Sequence, residues 1–200
     1  MDNKERLRKW LWLGLDETTA KKYQRKLSAE NVRIIRNESV IIAGIGALYT
    51  ICMLVLSHVY VKSLVCIIGA AWMFCIFLYT HSLLKKQDEI SKQETYASIG
   101  SFMICAYAVS IYVGTIGAGN ELAVTIVSLF VFLPTNFDLL PIYNLHITIV
   151  ALAMFFVSSY ITKTPDKFMY DVMDGILAAV IGNFAAFERA KIKWESVKIH

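Results

Sequence analysis

Charge is missing from long stretches of this 200-residue chain. No charged residue lies between Glu38 and Lys62, between Lys62 and Lys85, or between Glu94 and Glu121, runs of 23, 22 and 26 residues. At about 1.5 Å per residue, each run crosses a hydrocarbon core of roughly 30 Å as a helix. This lack of charge excludes an ordinary soluble domain. So do a hydrophobic content of 56% and a mean hydropathy of +0.52, since globular domains average roughly 45–50% apolar with glycine included.

Other absences narrow the chemistry. The charged first 38 residues contain no apolar core of signal-peptide length, so the first span is expected to serve as the insertion signal. The four cysteines, Cys52, Cys66, Cys75 and Cys105, fall inside spans without paired spacing and read as small apolar packing residues. There is no phosphate-cradling glycine loop, no HExxH and no Cys/His metal spacing. The glycines of GTIGAGN (Gly114, Gly117, Gly119) fall where one helix gives way to the next and read as a turn. His58, His81, His146 and His200 are scattered and read as interfacial or packing residues. Neither catalysis nor a bound metal or cofactor is expected of this chain.

Three further apolar runs are less clean. Leu122 to Phe137 has 16 uncharged residues and carries Pro134; Leu139 to Thr162 has 24; Gly175 to Phe187 has only 13. The last crosses a membrane if its helix begins near Phe168 and carries Asp171 and Asp174 in its outer turns. The expected fold is all-α: a polytopic membrane bundle of about six transmembrane helices with an N-terminal amphipathic helix and a C-terminal exit helix. Three segments follow: residues 1–38 beside the membrane, 39–187 within it, and 188–200 as the exit helix.

Lysine and arginine resist translocation. With six spans, 17 of the 20 basic residues fall on the side that holds both termini. A cell-membrane protein with both termini in the cytoplasm is expected, its basic segments facing the anionic inner leaflet. That neighbour accounts for the basic N-terminus without nucleic acid. Asp16 is positioned to cap a helix on which Ala20, Tyr23, Leu27, Ile34 and Ile35 share a face, a helix expected to lie along the inner leaflet or to pack on another cytoplasmic helix. Trp10, Leu11, Trp12 and Leu13 before it suit an interface.

Near the other end, Ala178, Gly182 and Ala186 recur every fourth residue, a stripe that lets another helix approach closely, within the chain or in a homodimer. Phe187, Ala190, Trp194 and Val197 continue at spacings of three and four, the pattern of a coiled-coil seam or an amphipathic surface helix. No glycine or proline stops the helix before His200.

Two polar groups are candidate ligand sites. Asn144 and His146 lie in TNFDLLPIYNLH and, if buried, need partners and line a cavity. The simpler expectation there is that Asp138 sits in a wet turn bounded by Pro134 and Pro141. Asp171 and Asp174, three apart, share a helix face at the outer surface and suit a cation or basic ligand, or merely the positive end of a helix dipole. Neutralising both is expected to leave membrane insertion intact.

The segment LGLDETTAKKYQRKLSAENVRIIRNES, then short-looped spans, then FERAKIKWES leaving the membrane, resembles the N-terminal input region of clostridial-type membrane-bound diguanylate cyclases. In that family the exit helix leads into a GGDEF output domain that makes cyclic di-GMP from two GTP. No GG(D/E)EF signature occurs in this chain, so no catalytic, nucleotide or metal role is carried over to any of its residues. The resemblance implies a bacterial membrane sensor or anchor that acts on a cytoplasmic output domain. The alternatives are a small transporter- or channel-like protein and a membrane scaffold.

Overall fold

The computed structural model describes residues 17–57, 60–86 and 90–198. The uncharged runs fold as helices. They are α1 (Glu17–Cys52, continued by a π-helical turn Met53–Ser57), α2 (Tyr60–Lys85), α3 (Lys92–Gly114), α4 (Val124–Asn136), α5 (Pro141–Thr162) and α6 (Pro165–Lys198). Among the described residues there is no strand. Among the described residues the chain is a six-helix, all-α bundle of the membrane kind.

Local chemistry sets the helix ends. α3 opens with a capping box: Ser91 Oγ accepts the Glu94 N–H at 3.2 Å, and Glu94 Oε2 accepts the Ser91 N–H at 2.9 Å. α5 and α6 each begin on a proline, whose missing N–H is not needed in a first turn. Between α3 and α4 the GTIGAGN segment is indeed a turn, with Gly119 at φ +63°.

Among the described residues five stretches are long and apolar enough to cross a membrane: Leu27–Val55, Tyr60–Lys85, Gln93–Gly114, Pro141–Thr162 and Pro165–Lys193. The 13 residues of α4 reach only about 20 Å as a helix. Its non-helical flanks make up the difference. At one end Ala123 is bonded to Asp171, and at the other Asp138 meets Arg189. Those two positions on α6 are about 27 Å apart along its axis. α4 therefore links the same two levels as the longer helices.

The distribution of side chains is inverted relative to a soluble protein. Ile41, Ile45, Leu48 and Val55 of α1 and Leu177, Val180 and Phe184 of α6 are exposed, as a lipid-facing surface requires. Ser39, Thr50, Ser63, Thr80, Thr148 and Ser159 are buried. Several of these hydroxyls return their protons to the preceding turn, Thr50 to the Gly46 carbonyl at 2.8 Å and Thr80 to the Ile76 carbonyl at 2.7 Å. The remaining interior is aromatic and aliphatic, with Phe130 between Tyr107 and Phe155 at ring-centre distances of 5.3 and 5.9 Å.

The stripe Ala178, Gly182, Ala186 is buried. At Gly182, α6 packs on α4 so closely that a Cβ would lie 2.1 Å from the Phe130 carbonyl oxygen. Pro134 supplies no N–H to that carbonyl. The oxygen instead faces the Cα–H of a glycine, a contact that suits a close helix crossing.

Two boundaries differ from the sequence expectation. α1 runs unbroken through Glu38, so the juxtamembrane segment and the first span are one 36-residue helix, and α6 begins at Pro165, a turn earlier than Phe168. Leu27, Asn31, Val32 and Ile35 are buried by the bundle, and Val32 packs with Leu83 and Ile90. α6 passes residue 187 without a break, as the lack of a stop signal in its sequence implied. Asp16 and Trp10 to Leu13 lie outside the described residues.

Candidate functional site: two buried charge clusters on one helix

At one end of the bundle the end of α5 and the start of α6 meet the start of α4. Asp171 Oδ2 accepts Lys163 Nζ at 2.6 Å and Ser159 Oγ at 2.6 Å, and Asp171 Oδ1 accepts the Ala123 N–H at 3.2 Å. The lysine and aspartate side chains are 0% and 2% exposed. A buried carboxylate persists when its lone pairs are occupied and an opposite charge is adjacent, and both conditions hold. Next to it, Asn120 Oδ1 accepts the Thr164 N–H and hydroxyl, each at 3.0 Å, tying the turn after α3 to the start of α6.

At the opposite end α4 unravels after Asn136, and its carbonyls need donors. They come from three other helices. Arg189 of α6 donates to the Thr135 carbonyl, and Asn144 of α5 to the Pro134 carbonyl at 3.2 Å. Asn31 of α1 takes both backbone groups of Asp138: its Oδ1 accepts the N–H at 3.0 Å and its Nδ2 donates to the C=O at 3.4 Å.

The Asp138 side chain, 1% exposed, pairs with Lys193 through Oδ2 and lies 3.4 Å from Arg189 Nε through Oδ1. Lys193 also reaches Glu30 Oε1 at 2.5 Å, and Asn136 donates to Glu38 Oε2 at 3.3 Å. The middle of α1, the end of α4 and the end of α6 thus share one charged knot. It also puts the Glu30–Glu38 stretch of α1 and the end of α6 at the same end of the bundle.

The wet turn expected at Asp138 is not there: the residue is buried because α1 and α6 cover it. Sequence reading missed Asp138, Arg189, Lys193, Glu30 and Asn31 as a group. A signal was present, since Arg189 and Lys193 are four apart and so share a helix face. Asp138 is also the one acidic residue between Glu121 and Asp166.

The residues expected to bind a ligand do not converge. Asp171 is buried in its ion pair, whereas Asp174 is exposed one turn on. Asn144 is buried against Pro134; His146 is exposed, its Nδ1 2.8 Å from the Ile142 carbonyl oxygen. Phe187 is half-buried and Ala190 buried, so this part of the proposed seam is occupied by the bundle itself. The side chains of Trp194 and Val197 lie outside the described residues, although the helix runs through both. Among the described residues no group of three His, Cys, Asp or Glu could hold a metal ion. The described cysteines are free thiols.

Comparison with protein-family models, with curated proteins and with solved structures returns no match.

Proposed function

We propose that this chain is a membrane sensory and anchoring module whose last helix passes a conformational change to a cytoplasmic output domain. The observation that carries the reading is α6, a single helix of 34 residues. It begins beside the Lys163–Asp171 pair, passes the Asp138 knot and continues beyond it. At about 1.5 Å per residue it is roughly 50 Å long, more than the hydrocarbon core requires. An unbroken helix held at both levels transmits rotation or displacement from one to the other, whereas a broken one dissipates it.

In this reading both ends of the chain are cytoplasmic, in keeping with the bias of basic residues to that side. The output is a GGDEF-type or similar domain, and imposed dimerisation is one means of controlling it. No residue of the chain carries catalysis, and its neighbours are anionic lipid and the output domain.

The test is an insertion series in a fusion to an output domain that works as a dimer. One added residue turns a helix by about 100°, and seven nearly restore its face. One alanine after Lys193 should therefore alter or abolish control, and seven should largely restore it. Equal output with one, three and seven added residues would make the tail a passive tether. A transporter-like reading would then lead, favoured by the interruption between α4 and α5 and by the polar residues Asn144, Thr148 and Asn183 inside the bundle.

A further inference from the structure

Inside the bundle, away from both charge clusters, a small set of polar groups does not close on itself. The Nδ2 group of Asn144 donates to the Pro134 carbonyl at 3.2 Å, which fixes the amide orientation, since the flipped amide would set oxygen against oxygen. Asn144 Oδ1 therefore faces the other way, and it is buried without a donor. Thr148, one turn on, cannot supply one. Its proton goes to the Asn144 carbonyl at 2.8 Å, and its oxygen accepts Asn183 Nδ2 at 3.1 Å.

From α3 the buried Tyr107 hydroxyl comes near Thr148 without a well-formed hydrogen bond to it. Like Asn144 Oδ1, this hydroxyl is buried without a hydrogen-bond partner. Asn144 and Thr148 are separated by about 6 Å along α5.

We propose that a single water molecule is bound between the Tyr107 hydroxyl and Asn144 Oδ1. It accepts from the tyrosine, donates to the amide oxygen and gives its second proton to the remaining lone pair of Thr148 Oγ1. Three bonds is the usual complement of a buried water. The cluster offers few oxygens, all neutral, with no carboxylate among them, so it suits water and not a hard cation. Bound there, the water joins α3 to α5 and, through Pro134 and Asn183, to α4 and α6.

The experiment is a structure of the whole protein at a resolution that shows ordered water. It is paired with thermal unfolding of Tyr107→Phe, Asn144→Leu and the double variant in one detergent at one scan rate and in sodium or potassium. A density peak within hydrogen-bond distance of both side chains is expected. Each single substitution should lower the midpoint by roughly 2–8 °C, the double by little more than either, and the cation should make no difference. A direct Tyr107–Asn144 contact with no density between them, additive losses, or a sodium-specific midpoint would overturn the proposal. If the variants do not fold, the density in the unmodified protein decides.

Discussion

Asp171→Asn keeps the shape of the side chain and removes its charge, and the structure predicts a large loss of stability. The carboxylate accepts three donors, and an amide can serve only part of that set, because its NH2 must face either the Ala123 N–H or the Ser159 and Lys163 pair. The larger effect is on Lys163. With its side chain 0% exposed, the ammonium is left without a counter-charge. Breaking a buried pair from one side costs about 3–5 kcal/mol, and the lost hydrogen bond adds about 1 kcal/mol. Against a total stability of about 5–15 kcal/mol, that is a substantial fraction.

Two controls separate this from a general effect of charge. Asp174 is exposed, so Asp174→Asn should stay within about 0.5 kcal/mol of the parent. Adding Lys163→Met to Asp171→Asn removes the stranded charge as well, and the pair should cost less than the sum of the singles by about 1–3 kcal/mol. Denaturant unfolding in mixed micelles, followed by tryptophan fluorescence, measures the parent, the three single variants and the double. The sequence expectation concerns insertion alone, whereas the loss predicted here appears in folding. If Asp171→Asn and Asp174→Asn are both within about 1 kcal/mol of the parent, the buried pair does not exist in the bilayer-inserted protein and the reasoning fails.

Gly182→Ala should cost about 2–4 kcal/mol, because its Cβ meets the backbone oxygen of Phe130, which cannot swing aside, whereas Gly44→Ala, with nothing within 4 Å, should cost nothing measurable. Asn31→Leu leaves the N–H and C=O of Asp138 without their partner, and a loss of about 2–4 kcal/mol in the same unfolding assay is expected.

The spans were legible because charges delimit them, and the stripe Ala178, Gly182, Ala186 was legible because a spacing of four is a local property. Asp138 was not. Between two prolines it has the composition of an exposed turn, and only the fold brings Arg189 and Lys193 to it from the last helix and Asn31 from the first. α1 was misdivided for the same reason. Its first turns carry many basic residues, which favours a surface segment, but Asn31 and Val32 face the bundle and hold the helix against it. Asp171 shows the reverse error: spacing put it on a face with Asp174, and a lysine eight residues earlier drew it inward. Function is less legible still, since a helix that leaves a bundle does not name what it acts on.

The two charge clusters bear on α6 in different ways. α4 is bonded to α6 at Asp171, touches it at Gly182 and is bonded to it again at Arg189, so the two helices are fastened at three levels and move together. α1 joins them at one end only, through Asn31 on Asp138 and Glu30 on Lys193. A displacement of the α4–α6 pair relative to α1 must therefore be taken up at this one contact. In the proposed sensory reading, that contact is where the position of the exit helix is set. Substitutions at Asn31 or Glu30 would then change the output of a fused domain even though neither residue belongs to the helix that leads to it.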